Sequence, residues 1–114
     1  MPPVRNGRWY FLSVFRGGDG LIEVKIMPQG IQMHGHAGHR INGQDIVCAA
    51  VSALTCSLIN SLRELTGDRI RADTASGRTV IEWQKLSDSG KLLVDSWFLA
   101  LTDINREYNC ICFL

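Results

Sequence analysis

The amino-acid sequence predicts an α+β fold in which a mostly antiparallel sheet is covered by two helices. Short segments alternate apolar and polar residues with the period of half-buried strands, and two longer segments have helical spacing. The segments follow the order β-β-β-α-β-β-α-β without an internal repeat. A chain of 114 residues, 46% of them hydrophobic, has the size and composition of one compact domain.

Three strands are predicted before the first helix. Residues 9–15 are rich in aromatic side chains and end at a Gly-Gly-Asp-Gly turn. Residues 21–27 alternate in hydrophobicity, and residues 31–36 form the returning strand of a hairpin. Pro28 suits the first corner of the connecting turn, where we expect Gly30 to supply a positive φ.

The beginning of the chain differs in composition from the rest. Residues 1–8 have the composition of a tail. We therefore divide the chain into an N-terminal extension, residues 1–20, that would add one extra strand, and a single α+β domain, residues 21–114.

The first helix is predicted to follow a glycine-containing loop, Ala37–Gln44. Asp45 is the expected N-cap, the helix runs from Ile46 to about Leu65, and Thr66-Gly67 closes it. The helix is apolar on nearly all sides, with small residues on the face opposite Cys48, namely Ala50, Ala53, Ser57 and Ser61. We expect it to be buried on most of its surface, against the sheet and a second subunit. The sequence therefore predicts a homodimer.

A second hairpin, a helix and a last strand complete the domain. Residues 68–74 and 79–84 flank Ala-Ser-Gly77, and the helix starts at Ser87 or Asp88. Residues 109–114 are the terminal strand. The side of the second helix that faces the core is predicted to consist of Leu93, Trp97, Leu101, Ile104 and Tyr108.

Composition excludes several classes of protein. A net charge of +1 argues against direct nucleic-acid binding. The longest apolar segment, Ile46–Leu62, is interrupted by Ser, Thr and Asn, so we expect a core helix and no membrane association. Four cysteines and weak signal-peptide features favour a reduced, cytoplasmic protein without cofactors.

Cys48 and His36 are the candidate catalytic pair. Cys48 falls near the third residue of the first helix, where unpaired N–H groups stabilise a thiolate and could bind an oxyanion. His36 ends the strand before the loop that leads to this helix, so the two side chains can lie within hydrogen-bond reach. A thiol beside an imidazole is the minimum arrangement for nucleophilic acyl transfer. From the residues alone, a buried structural cysteine remains the alternative.

A zinc site is the competing interpretation. His34, His36 and His39 cluster in sequence, and Cys110 and Cys112 are spaced to share one face of a strand. The two cysteines belong to an apolar run, however, and no Cys-x-x-Cys pair occurs. We therefore expect Cys110 and Cys112 in the core, His34 and His39 at the surface, and no metal.

A longer motif distinguishes these alternatives. Gly35-His-Ala-Gly38, followed by Gly43-Gln-Asp-Ile-Val-Cys-Ala-Ala-Val-Ser-Ala-Leu54, resembles the signature of the ribosomal-processing cysteine protease family, Prp. The match is ungapped and keeps His36 and Cys48 twelve residues apart. A weaker resemblance extends over residues 21–114, whereas residues 1–20 have no counterpart.

The resemblance implies a homodimeric cysteine endopeptidase. Such an enzyme removes an N-terminal extension from a ribosomal large-subunit protein, after a short motif that ends in aromatic residues. Cys48 would be the nucleophile, forming a thioester, and His36 the general base. Asp45 would orient His36 or only cap the helix, and Ser52 would line the site or only pack.

The same resemblance gives the loop between His36 and Cys48 a role. It would be a flexible cover over the peptide groove, with Gly35, Gly38 and Gly43 at its hinges. Two alternatives remain open: processing of phage capsid or scaffold precursors by the same chemistry, and a dimeric interaction module without catalytic activity.

Overall fold

The computed structural model of the protein describes residues 22–35, 44–75 and 77–114, and for residues 44 and 45 the backbone alone. Its elements are β1 (Ile22–Met27), β2 (Gly30–His34), α1 (Gln44–Leu65), β3 (Ile70–Ala75), β4 (Arg78–Trp83), α2 (Asp88–Tyr108) and β5 (Ile111–Phe113). The N-terminal extension and its predicted strand lie outside the described residues.

The strands form one five-stranded sheet in the order β3-β4-β2-β1-β5. All neighbours are antiparallel except β1 and β5, which are parallel. The predicted class, a mostly antiparallel sheet with two helices, is confirmed. The parallel pair follows from α2, which carries the chain across the sheet before β5 begins.

The first hairpin is confirmed, but the reason for a glycine at position 30 differs from our expectation. Met27 pairs with Gly30 across a turn made by Pro28 and Gln29. Gly30 is the first residue of β2 and is not among the positive-φ residues. A Cβ atom at this position would lie 2.7 Å from the carbonyl oxygen of Ile81. Glycine is needed because β2 and β4 approach closely here.

The core lies between one face of the sheet and the two helices. Its fully buried side chains are Val24, Ile31, Val47, Leu62, Ile81 and Leu101. Thr55 of α1 is the buried polar residue among those described, and its hydroxyl group donates a hydrogen bond of 2.7 Å to the carbonyl oxygen of Val51. The hydroxyl oxygen of Thr55 accepts a hydrogen bond of 3.1 Å from the indole N–H of Trp97. This bond joins α1 to α2 through a satisfied buried pair.

Helix α1 begins earlier than predicted and exposes one face in the single chain. It begins at Gln44, so Asp45 is its second residue rather than its N-cap. One face packs on the core, through residues such as Val47, Val51 and Leu58, but the opposite face is exposed at Ala49, Ala53 and Ser57. The part of the expectation that concerns the sheet is therefore met, and burial of the other face against a second subunit stays a prediction.

The apolar character of α1 also meets a membrane criterion. Residues 46–65 have the length and hydropathy of a membrane-spanning helix. The core helix of a soluble domain passes the same test, and α1 packs on the core through one face. Its composition is therefore weak evidence for a membrane.

Helix α2 begins as predicted, with Ser87 as its N-cap. The Ser87 hydroxyl accepts a hydrogen bond of 3.0 Å from the N–H of Gly90. The buried side of α2 contains Gly90, Val94, Trp97 and Leu101. Among the residues predicted to face the core, Leu93 and Ile104 are half-buried and Tyr108 is exposed. The buried side of the helix passes through Val94 rather than Leu93.

Candidate active site

Four strand ends and the beginning of α1 converge at one end of the sheet. The register places the start of β1, the end of β2 and the start of β4 side by side, with Glu23 opposite His34 and His34 opposite Arg78. The end of β3 pairs with the start of β4. Because β2 ends here, the chain enters α1 from this same end of the sheet.

A cleft of about 160 Å³ lies at this convergence. Its lining comes from β1, from β2 and the glycine after it, from α1, and from the β3–β4 hairpin. The residues are Ile22, Met33, His34, Gly35, Cys48, Val51, Ser52, Ala75, Gly77, Arg78 and Thr79. Cys48 is the thiol of this cleft.

Cys48 is half-buried and packs against the core from the second turn of α1. It is the fifth helical residue rather than the third, because α1 begins at Gln44. It therefore lies beyond the N–H groups that lack an intrahelical partner at a helix N-terminus. The expectation that Cys48 sits among those oxyanion donors does not hold for the backbone described.

Gly35 brings the chain to the cleft at the end of β2. Its φ of 108° is a conformation that favours glycine, and its N–H donates to the carbonyl of Gly77 at 2.9 Å. This hydrogen bond ties the end of β2 to the β3–β4 turn. The next residue in the chain is His36, which lies outside the described residues, so the described chain ends one residue short of the predicted base.

The other predicted site residues divide into two groups. Ser52 is exposed and lines the cleft one helical turn after Cys48. Gly38 and Gly43 lie outside the described residues, as does the side chain of Asp45. The cleft therefore brings together Cys48, Ser52 and Gly35 from the predicted set.

His34 lies at the rim of the cleft but on the wrong face of the sheet to serve Cys48. The neighbouring Met33 points toward α1, where its sulfur lies 3.8 Å from the Thr55 hydroxyl. Since strand side chains alternate, His34 points to the opposite face. There its Nδ1 lies 3.4 Å from a carboxylate oxygen of Glu23, and 61% of its side chain is exposed.

The hairpin side of the cleft is not predicted by the sequence analysis. Ala75, Gly77, Arg78 and Thr79 follow Cys48 by 27 to 31 residues. Nothing in their local pattern points to a site, because they line the cleft only through the pairing of β4 with β2. Thr79, which pairs with Met33, is on the α1 side of the sheet, whereas Arg78 pairs with His34 and its side chain points to the opposite face.

The remaining cysteines do not line this cleft. Cys56 is exposed on α1, while Cys110 and Cys112 are buried as predicted, and all four cysteines are thiols. Burial, and then the charge of Glu23, raise the pKa of the Cys112 thiol. Across the described parts of the chain, no three His, Cys, Asp or Glu side chains are grouped to hold a metal ion.

Comparison with known proteins identifies relatives of this chain. The family model described as cysteine protease Prp matches residues 21–112. The ribosomal processing cysteine protease Prp of Staphylococcus aureus strain Mu50 is 35% identical over 95 residues, which cover 77% of this chain and 90% of that protein.

Two crystal structures from S. aureus share the fold. One is an essential ribosomal processing protease Prp with a covalently linked product peptide, at a TM-score of 0.70 and 27% identity, covering 82% of this chain and 95% of that one. The other holds a substrate peptide, at a TM-score of 0.72 and 25% identity, covering 82% and 96%.

Proposed function

The chain belongs to the cysteine protease Prp family, and from that membership we propose that it removes an N-terminal extension from the precursor of a large-subunit ribosomal protein. It is a cysteine-type peptidase rather than a catalytically inactive interaction module. The relatives named for ribosomal processing support this class of substrate. A structure of one relative with a substrate peptide supports a peptide as the group that is bound.

The position of Cys48 carries the proposal. The thiol lies in the cleft at the convergence of strand ends, and it shares that cleft with Gly35, the residue that immediately precedes His36. The chain therefore delivers the predicted base from the edge of the cleft that holds the nucleophile. Cys56 lies eight residues further along α1 and does not line this cleft.

The proposed reaction proceeds through an acyl-enzyme. His36 takes the proton of the Cys48 thiol, and the sulfur attacks the carbonyl carbon of the scissile peptide bond. When the C–N bond breaks, the imidazolium gives its proton to the leaving amine, and the N-terminal extension remains as a thioester. Water, deprotonated by His36, then attacks this thioester and releases the extension as a carboxylate, which restores the thiol.

The test is intact-mass analysis of an N-terminally extended large-subunit ribosomal protein after incubation with the chain. We expect loss of the extension with the wild type and no loss with Cys48→Ala. His36→Ala should slow turnover by about two orders of magnitude or more, because it removes the general base. Acid quenching of the wild-type reaction should trap the mass of the extension on Cys48.

Cys56→Ala is the matched control, since it removes an exposed thiol of the same helix. It should cleave at the wild-type rate. Cleavage by Cys48→Ala at that rate would refute the proposed nucleophile. Cleavage of a phage capsid precursor, but of no ribosomal protein, would show that the enzyme uses the same reaction on the alternative substrate.

Two further features belong to this proposal. We propose that the enzyme is a homodimer, since α1 is an apolar helix and Ala53 and Ser57, of its predicted small-residue face, are exposed in the single chain. We also propose a cytoplasmic location, because four thiols, including a catalytic one, suit a reducing compartment.

A further inference from the structure

Strand β3 is an edge of the sheet and ends at the catalytic cleft. Among the described residues it pairs with β4 alone. It is six residues long, contains no proline, and its last residue, Ala75, lines the cleft that holds Cys48. A regular exposed edge of this kind is a template for pairing with another extended chain.

The hairpin geometry indicates which backbone groups of β3 are unpaired. Two residues join β3 to β4, and Ala75 pairs with Arg78 across them. In such a hairpin the pair beside the loop is hydrogen-bonded and every second pair follows it. The N–H and C=O groups of Ala75 and Asp73 therefore face β4. Those of Ala72 and Thr74 face outward.

The space beside this edge is open toward the cleft. Ala72 packs on the core from the α1 side of the sheet. Thr74 lies on the same side, two residues further along, yet it is exposed. Ser52 of α1, which lines the cleft together with Ala75, is also exposed. The end of β3 is therefore exposed at Thr74, next to Ala75, which lines the cleft that holds Cys48.

We infer that the precursor docks as an added strand on β3. The occupant is the extended segment around its scissile bond, held by the outward N–H and C=O groups of Ala72 and Thr74. Pairing with a fixed strand orders the peptide before reaction and directs it toward the Cys48 thiol. This inference rests on the proposed function, because it takes the processed precursor as the ligand.

The other edge of the sheet is a poorer site for such docking. Strand β5 has three residues, so it offers a short ladder. Of the two edges of the described sheet, β3 is the longer one and the one that lines the cleft.

The test removes one outward N–H group from β3. Thr74→Pro deletes this donor at an edge position where proline is tolerated, and Thr74→Val keeps the donor with a β-branched side chain. We expect Thr74→Pro to lower kcat/KM for a peptide spanning the processing site by about tenfold or more, and Thr74→Val to stay near the wild type. The alkylation rate of Cys48 by iodoacetamide should be unchanged in both.

A complementary measurement leaves the protein unaltered except at Cys48. Peptides N-methylated at one residue at a time are titrated against Cys48→Ala by calorimetry. Strand pairing predicts that methylation weakens binding at every second residue of the docked segment, and not at those between. Equal effects at neighbouring residues, or wild-type turnover by a folded Thr74→Pro, would overturn the docking.

The remaining outcomes separate this inference from the function. If Cys48→Ala binds the peptide with the alternating pattern but the wild type does not cleave it, the proposed reaction fails and the docking stands. If the wild type cleaves it and the alternation is absent, the docking fails alone. A change in the light-scattering mass of Thr74→Pro would assign the edge to a second copy of the chain, and would also overturn the docking.

Discussion

The four cysteines occupy environments that differ in exposure and in neighbouring charge. Cys56 is exposed, Cys48 is half-buried at the cleft, and Cys110 and Cys112 are buried. Exposure alone would therefore make Cys56 the most reactive thiol. Burial and Glu23 raise the pKa of the Cys112 thiol, which lowers its thiolate fraction near neutral pH.

We predict that iodoacetamide at mildly acidic pH labels Cys48 faster than Cys56, and both faster than Cys110 and Cys112. The reason is chemical rather than steric, since the proposed pairing with His36 supplies the thiolate that reacts. Peptide mapping by mass spectrometry after short exposures gives the four rates. His36→Ala should remove the advantage of Cys48 over Cys56. Labelling of Cys56 ahead of Cys48 in the wild type would contradict the catalytic pair.

At the scale of elements, the start of α2 depends on a residue from the loop before β3. The carboxylate of Asp68 accepts hydrogen bonds from the N–H of Ser87, at 3.0 Å, and from its hydroxyl, at 2.9 Å. Ser87 in turn caps Gly90. A Cβ atom on Gly90 would collide with the Asp68 carboxylate. The cap therefore links α2 to the end of α1 through one acidic side chain.

Because of this arrangement, we expect a Gly→Ala substitution at position 90 to have the opposite effect on stability from the usual one. Gly→Ala inside a helix usually stabilises by about 1 kcal/mol. Here Gly90→Ala should lower the free energy of unfolding by about 1–2 kcal/mol, because the carboxylate must leave the capping serine. Urea denaturation measures the difference.

The control makes the same Gly90→Ala substitution in a variant that lacks the Asp68 carboxylate. In an Asp68→Ala background, Gly90→Ala should be neutral or stabilising, since no carboxylate occupies the space. A stabilising effect of Gly90→Ala with Asp68 present would show that the carboxylate moves without loss.

At the scale of the whole molecule, α1 presents two different faces. One packs on the sheet and α2, and the other is exposed at small residues such as Ala49, Ala53 and Ser57. Small side chains on this face would allow a helix of a second subunit to pack closely against α1. This face is where the proposed homodimer would form.

Light scattering at micromolar concentration should give about twice the mass of 12.7 kDa. Ala53→Arg should give the monomer mass, because it puts a charge into the packed face. Ser96→Arg is the matched control, since Ser96 is exposed on α2 and the charge there should not affect association. A monomeric wild type, or a dimeric Ala53→Arg, would contradict this interface.

Local pattern was sufficient for most elements of the described domain. The alternation of residues 22–27, the turn at Pro28 and the cap at Ser87 are properties of neighbouring residues, so sequence predicts them. The motif around Cys48 is also detectable from the sequence, because the proposed nucleophile and the predicted base lie only twelve residues apart. The start of α1 was misplaced because Asp45 suits a cap as well as a first turn.

Only the tertiary structure decided how these elements meet. Periodicity reports which side of a strand is buried, but it does not report which strand lies beside it. The placement of β4 next to β2 brings Gly77 and Thr79 to the cleft of Cys48, and the exposed edge of β3 to the same cleft. The sequence thus determined the elements and the motif, whereas long-range strand pairing determined the walls of the site and the direction from which a peptide can reach it.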